Sequence, residues 1–304
     1  MCGEEPGLAD AGLYDVAAAG RCSRTISLLL SEAELDRLRV VLVATRNPLN
    51  VGAAARAMSN FGVRRLRVVN PYEAAFREAR SAVGAAAVLA DAEECETVAE
   101  AVADCALVVG TTAAERRQLQ QPLRRLEQGA RAIRKQLASG NVALLCGSEK
   151  RGLSNEDLSH CHWLLRIPTR EAHGSMNLGQ AVAVCLYELV RDPTSARDGQ
   201  MWGTKRDPTS AKSGQMWGTK RDPTSAKGGQ MWGTKAERAT AGEMERITTV
   251  LLEVLSESGY LKPRAAAATR EKIRRLVRRL ELSPGDAEVW LGMLRQILWK
   301  LRSG

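Results

Sequence analysis

Three short segments hold residue types able to bind and orient a polar or phosphorylated substrate. The first, ATRNPLNVGAAARAMSNFG over residues 44–62, carries a carboxamide at Asn50 and a guanidinium at Arg56. Its spacing predicts a strand ending at Ala44, a polar turn with Pro48 and Asn50, and a helix from Val51. Arg56 then lies in the first turns of that helix, near an N-terminus where free backbone N–H groups and the helix dipole attract a phosphate. The second segment, LLCGSEKRGLSNEDL over 144–158, sets Glu149 between Gly147 and Gly152, glycines that let backbone N–H and C=O groups face a ligand. The third, LLRIPTREAHGSMNLGQAVAVCLYEL over 164–189, places Ile167 and Pro168 at a strand end. His173, Gly174, Ser175 and Met176 follow in a polar loop, ahead of a helix starting at Asn177.

Each segment alone has an ordinary explanation: a surface arginine, a glycine-bearing strand–helix connection, a loop histidine. His160-Cys161-His162 has the look of metal ligands, but no second ligand cluster accompanies it, so no metal site is expected. The first turn lacks G-x-G-x-x-G, which opposes dinucleotide binding; a nicotinamide-dependent dehydrogenase stays as an alternative that bound NAD would indicate.

The elements that must position these residues are legible as alternation. Apolar runs at 39–44, 65–69, 86–90, 106–110, 141–146 and 163–167 read as strands. Amphipathic or Ala-rich stretches near 51–61, 93–103, 124–138 and 177–190 read as helices. Short, continuously apolar strands separated by helices predict an α/β protein with a parallel sheet covered on both faces. Its ligand is expected at the carboxyl ends of the strands.

The rest of the chain divides differently. Residues 191–235 are three tandem 15-residue repeats, RDPTSARDGQMWGTK and two near copies, with no apolar face to bury; they read as a disordered linker. Trp202, Trp217 and Trp232, one per repeat beside basic neighbours, have the means to stack on bases. From 236 to 304 the pattern is helical. Ile247, Val250, Leu251, Val254 and Leu255 form one stripe, and TREKIRRLVRRLEL and DAEVWLGMLRQILWKL supply two more helices. The organisation expected is an N-terminal extension (1–35), an α/β domain (36–190), the linker (191–235) and a small all-α domain (236–304).

The formal charge is +9, and residues 1–190 hold 22 basic and 22 acidic side chains. All of the excess therefore lies in the C-terminal part, where Arg270, Lys272, Arg274, Arg275, Arg278 and Arg279 crowd one predicted helix. That helix is the expected surface for a polyanion, with a solvated charged face as the competing reading. No apolar run approaches the roughly 18 residues of a membrane span. The acidic start MCGEEPGLAD has no secretory pattern, and seven scattered cysteines form no C-x-x-C pair; a reducing, cytoplasmic setting is expected.

Taken together and in order, N-P-x-N-x-G-A-x-x-R-A, G-x-E-x-x-G-L and I-P-x(6)-S-M-N-L resemble the SpoU/TrmH branch of the SPOUT RNA 2′-O-methyltransferases. The resemblance spans residues 39–190. The helical MERITTVLLEVLSESGYLKP, KIRRLVRRL and VWLGMLRQI look like the C-terminal part of TrmJ-like tRNA methyltransferases. The resemblance implies a parallel sheet with a C-terminal trefoil knot and S-adenosyl-L-methionine bound within it. It also implies tRNA as substrate, in the anticodon loop, and a homodimer. Cofactor-binding positions would be Thr111, Thr112, Ala113, Gly147, Ile167, Gly174, Ser175 and Met176; Asn50, Arg56, Glu149, Ser175 and Asn177 would form the catalytic and substrate side. The identity of the general base stays open. One departure stands out. Members often read G-T-S-A-R where this chain has Gly110-Thr111-Thr112-Ala113-Ala114, with Arg116 and Arg117 slightly later. Ribosomal RNA methylation within the same family, or a catalytically silent RNA-binding protein, are the alternatives that follow.

Overall fold

A computed structural model describes residues 30–71, 85–113, 119–170, 175–191, 237–261 and 266–303. Seven strands form one sheet: β1 (Leu38–Val43), β2 (Arg65–Val69), β3 (Glu93–Cys95), β4 (Leu107–Thr111), β5 (Leu123–Arg125), β6 (Val142–Cys146) and β7 (Trp163–Arg166). The spatial order is β3-β2-β1-β6-β4-β7-β5, and every neighbouring pair is parallel. β6 inserts between β1 and β4, with Leu42 opposite Cys146 and Gly110 opposite Leu145. β7 inserts between β4 and β5. The carboxyl ends of β1, β6, β4 and β7 therefore lie side by side.

Alternate residues of the strands face two cores, as the pleat requires. On one face Leu38, Val40, Leu42, Leu144 and Val109 pack with helices α2 (Pro48–Asn60), α5 (Leu126–Leu137) and α7 (Leu178–Val190). On the other, Val41, Val43, Val108 and Leu145 pack with Val98 and Ala101 of α4 (Val98–Ala101) and Leu158 of α6 (Asn155–Ser159). Burial on both sides explains why these strands read as unbroken apolar runs. Leu30, together with Leu35 of α1 (Glu32–Leu35), joins the first core.

Two expected elements change type. Residues Ala86–Ala90, read as a strand, form helix α3, with Val88 and Leu89 buried. Five apolar residues fit either structure by periodicity, and alanine tips the balance to helix. Within the stretch read as a helix, Glu93–Cys95 instead pairs with β2 as an edge strand, and only Val98–Ala101 is helical. The short strand β5 precedes α5 where a continuous helix was expected.

The C-terminal part is helical as expected: α8 (Ala241–Glu257), α9 (Ala266–Arg279) and α10 (Pro284–Arg302). Thr240 and Ser283 cap α8 and α10 by accepting from Glu243 N and Asp286 N. Met244, Ile247, Val277, Ala287 and Leu294 build a separate small core. This unit docks on the second, more thinly covered face of the sheet. Ala241 N donates to Cys105 O at 2.8 Å and Gly242 N to Ala103 O at 2.9 Å. A Cβ on Gly242 would meet Ala103 O at 3.0 Å, so the close approach depends on glycine.

The basic helix is turned partly inward. Arg274 and Arg278 of α9 are 7% and 2% exposed. Arg274 donates to both Glu245 oxygens at 2.9–3.1 Å and, through Nη1, to Ser159 Oγ at 3.0 Å. Arg278 stands 3.6 Å from Glu245. These two arginines join α9 to α8 and to the sheet domain instead of facing solvent; Arg270, Lys272 and Arg279 remain exposed. Residues 192–236, with the repeats, and Gly174, His173, Ala114, Arg116 and Arg117 lie outside the described residues.

Candidate active site at the carboxyl edge of the sheet

Asn47 starts the site. Its side chain accepts from Leu49 N at 3.0 Å, capping α2, and Pro48 occupies the first turn where no N–H is needed. The cap starts the helix at Pro48, three residues before the expected Val51, so Asn50, 8% exposed, sits in its first turn at the sheet edge and not in the preceding turn. Asn50 Nδ2 donates to Glu149 Oε1 at 2.9 Å, while Asn177 Nδ2 donates to Asn50 Oδ1 at 2.8 Å. Asn177 in turn caps α7, its Oδ1 accepting from Gly179 N at 2.9 Å. One hydrogen-bonded chain thus joins three expected site residues from three distant segments, with the Glu149 carboxylate at its exposed end.

Close helix packing supports that chain. A Cβ on Gly179 would meet Ala53 Cβ at 2.6 Å, so α2 and α7 approach as only a glycine allows. Arg56 lies on α2, exposed, beyond Asn50. Ser175 and Met176 lead directly into Asn177, with Ser175 exposed.

The neighbouring positions form a backbone cradle. Thr111 ends β4 and Thr112 and Ala113 follow it, Gly147 follows β6, and Ile167 follows β7, on adjacent strand ends. Thr111 Oγ1 donates to Leu145 O at 3.0 Å, and Thr112 N donates to Leu165 O at 3.0 Å, tying the three ends together. The loop after β6 folds back on itself: Gly152, with φ +65°, donates from N to Ser148 O at 2.7 Å. A Cβ on Gly147 would run into the Gly152 and Leu153 backbone.

Thr45, at the end of β1, was not singled out from the sequence. Its Oγ1 is buried and makes no hydrogen bond. Nothing in ATRN marks that hydroxyl, because its burial depends on the neighbouring strand end. Among the described residues no group of three or more His, Cys, Asp or Glu is placed to hold a metal. His162 Nδ1 instead accepts from Val108 N at 3.1 Å, and burial lowers the pKa of His160 and His162 to about 3. The five described cysteines are buried free thiols. No described helix is long and apolar enough to cross a membrane.

The fold defines an α/β protein whose candidate site lies at the carboxyl edge of a parallel sheet, where backbone groups meet a carboxamide–carboxylate chain. Residues 37–187 match the SpoU rRNA Methylase family. The tRNA (cytidine/uridine/adenosine-2′-O-)-methyltransferase TrmJ of Pseudomonas aeruginosa is 35% identical over 264 residues, 86% of this chain and 94% of that protein. The tRNA (cytidine/uridine-2′-O-)-methyltransferase TrmJ of Yersinia pestis (strain Pestoides F) is 30% identical, covering 86% of this chain and 92% of that one. The crystal structure of TrmJ from Z. mobilis ZM4 superposes with a TM-score of 0.65 at 28% identity, over 85% of this chain and 98% of that one. The chain belongs to the SpoU methylase family.

Proposed function

We propose that the protein transfers a methyl group from S-adenosyl-L-methionine to a ribose 2′-hydroxyl of tRNA, in the anticodon loop. The observation that carries this reading is the Asn50–Glu149–Asn177 chain beside the backbone cradle, with Arg56 on the same helix as Asn50. Similarity to the TrmJ relatives over 86% of the chain supports tRNA over ribosomal RNA as the substrate.

The cradle suits such a cofactor. Backbone groups at Thr111, Thr112, Ala113, Gly147 and Ile167, with the orphaned Thr45 hydroxyl nearby, offer neutral donors and acceptors to a heterocycle and a ribose. Gly174, Ser175 and Met176 complete the holding residues in this reading. The cofactor supplies a methyl on a sulfonium, already activated for attack by oxygen. The residues then have three tasks. Arg56 binds a phosphate next to the reacting ribose and stabilises negative charge developing on the 2′-oxygen. Glu149 and Asn177 fix the Asn50 carboxamide, which holds the ribose in place. Ser175 stands on the exposed side, where the 2′-hydroxyl enters. With the cofactor bound, its methyl would pass to the 2′-oxygen as the C–S bond breaks, leaving S-adenosylhomocysteine, and the hydroxyl proton would pass to water; placement of the hydroxyl in line would supply much of the acceleration.

The remaining parts of the reading are architectural. β6 and β7 each insert between earlier strands, and α7 then packs against α2; this supports a trefoil knot in the segment from β6 to α7. Leu49 and Tyr187, 77% and 56% exposed on α2 and α7, support a homodimer through that helix pair, beside the site. The protein acts in the cytoplasm in this reading, where its tRNA substrate resides.

Mapping 2′-O-methyl positions in total tRNA with and without the gene tests the activity. Loss of one anticodon-loop methyl on deletion is expected; an unchanged map overturns the reading. Arg56→Ala should abolish transfer in a tritiated-methyl assay while calorimetric affinity for S-adenosyl-L-methionine stays near wild type. Turnover at the wild-type rate by this variant removes Arg56 from the site.

A further inference from the structure

A cavity of about 350 Å³ opens where α9 meets the sheet domain, away from the carboxyl-edge site. Lys272, Arg275, Arg278 and Arg279 line it from the helix, Gln121 and His162 from the sheet domain, and no carboxylate is among its lining residues. Arg275 leans on Glu271 of its own helix at 3.5 Å. Lys272 and Arg279 are exposed at the cavity.

The buried charges behind it do not balance. Glu245 is a single carboxylate facing two guanidiniums, and the hydrogen bonds it accepts come from Arg274. Arg278, 2% exposed, reaches Glu245 only at 3.6 Å, and none of its three nitrogens makes a hydrogen bond. His160, whose Nδ1 also lacks a partner, contributes no negative charge. The cluster thus holds one positive charge in excess with N–H groups unsatisfied. Such a state is costly unless an acceptor is supplied. Burial lowers the Arg278 pKa to about 10, the same imbalance read through its proton.

We propose that this cavity binds a phosphate group, with Arg278 at its wall and Lys272, Arg275 and Arg279 around it. A phosphoryl anion carries the charge the cluster lacks and several acceptor oxygens for guanidinium donors. Two sources share that chemistry: the backbone of an RNA, or a free phosphate. Either one bridges α9 to the sheet domain and so holds the C-terminal helices in place. The inference stands independently of methyl transfer.

The test uses the full chain in buffer free of phosphate and sulfate. Inorganic phosphate is titrated during thermal unfolding, against sodium chloride of equal ionic strength. At about ten times its Kd, phosphate should shift the folded-to-unfolded ratio roughly tenfold. That corresponds to a rise in Tm of roughly 2–3 °C for a chain of this size. Arg278→Met should match or exceed the wild-type Tm without phosphate and lose the response. Lys272→Gln/Arg279→Gln, at exposed positions, should keep the phosphate-free Tm and respond far more weakly; it decides the matter if Arg278→Met does not fold. No phosphate-specific rise in the wild type, or a full rise in every folded variant, overturns the site. Filter binding to tRNA separates the sources. Competition by phosphate beyond the chloride control, with about tenfold weaker tRNA binding by the double variant, assigns the site to the RNA backbone. A double variant that binds tRNA normally yet has lost the phosphate response assigns it to a free phosphate. No readout involves methylation, so failure of this site and failure of the proposed activity are seen separately.

Discussion

Asn50 is held from both sides, its amide nitrogen by Glu149 and its amide oxygen by Asn177. A carboxamide so fixed presents one orientation to a ligand, and that orientation is lost when either partner is removed. Asn50→Ala should cost about 0.5–1.5 kcal/mol of stability, because two hydrogen bonds are lost while their exposed partners, Glu149 and Asn177, are satisfied by water. Activity should fall by at least tenfold while cofactor affinity changes little. Urea unfolding and the tritiated-methyl assay check both, and an Asn50→Ala enzyme with normal turnover would show that the chain is only structural. Asn177→Ala combines that loss with the loss of a helix cap, itself about 1 kcal/mol. It should therefore be the less stable of the two variants.

At the scale of elements, the site depends on two helices lying unusually close. Asn50 rides on α2 and Asn177 caps α7, and their contact is set by Gly179 against Ala53. Gly179→Ala adds a methyl where the neighbour is another Cβ on a packed helix, so the helices must part. Overpacking of this kind costs about 1–3 kcal/mol. The expected outcome is a lower urea midpoint together with reduced methyl transfer, since parting the helices stretches the Asn50–Asn177 bond. Full activity with full stability in this variant would show that the helices tolerate a wider spacing. The loop after β6 makes a parallel case: Gly147→Ala would place a methyl against the backbone of Gly152 and Leu153. It should weaken binding of S-adenosyl-L-methionine, measured by calorimetry.

For the whole molecule, the seam between the sheet domain and the C-terminal helices governs response to pH. His160 and His162 lie at or beside that seam, with pKa values lowered to about 3 by burial first and nearby arginines second. Unfolded, both return to about 6.5. The unfolded chain therefore binds more protons between these values, so stability is complete above about pH 6.5 and is lost as pH falls toward 3. Between pH 6 and pH 4 stability should therefore fall as the pH is lowered, with up to two protons taken up on unfolding. Urea unfolding at pH 7, 6 and 5 should show this, and His160→Asn/His162→Asn should flatten it. Equal slopes in variant and wild type would mean that carboxylates alone set the acid response.

Local chemistry made much of the protein legible from its sequence. Asn177 ahead of an apolar helix and the turn between Gly147 and Gly152 are set by near neighbours, and continuous apolar runs mark strands buried on both faces, whereas the helix expected from Val51 begins at Pro48 because Asn47 caps it. The order of the three motifs carried the family resemblance, and with it the candidate site residues. Where local signals were balanced, as in the Ala-Ala-Val-Leu-Ala run at 86–90 and the edge strand at 93–95, the reading failed, because neighbours settle such segments. Tertiary structure alone decided the rest. It brought Asn50, Glu149 and Asn177 into one chain although 99 and 127 residues separate them. It also turned Arg274 and Arg278 inward. A helix crowded with arginines looks outward-facing, and which of its faces is buried depends on a carboxylate 29 residues earlier and a serine 115 residues earlier. A charged side chain enters a protein interior only where such a partner is delivered to it, and that delivery is an act of the fold.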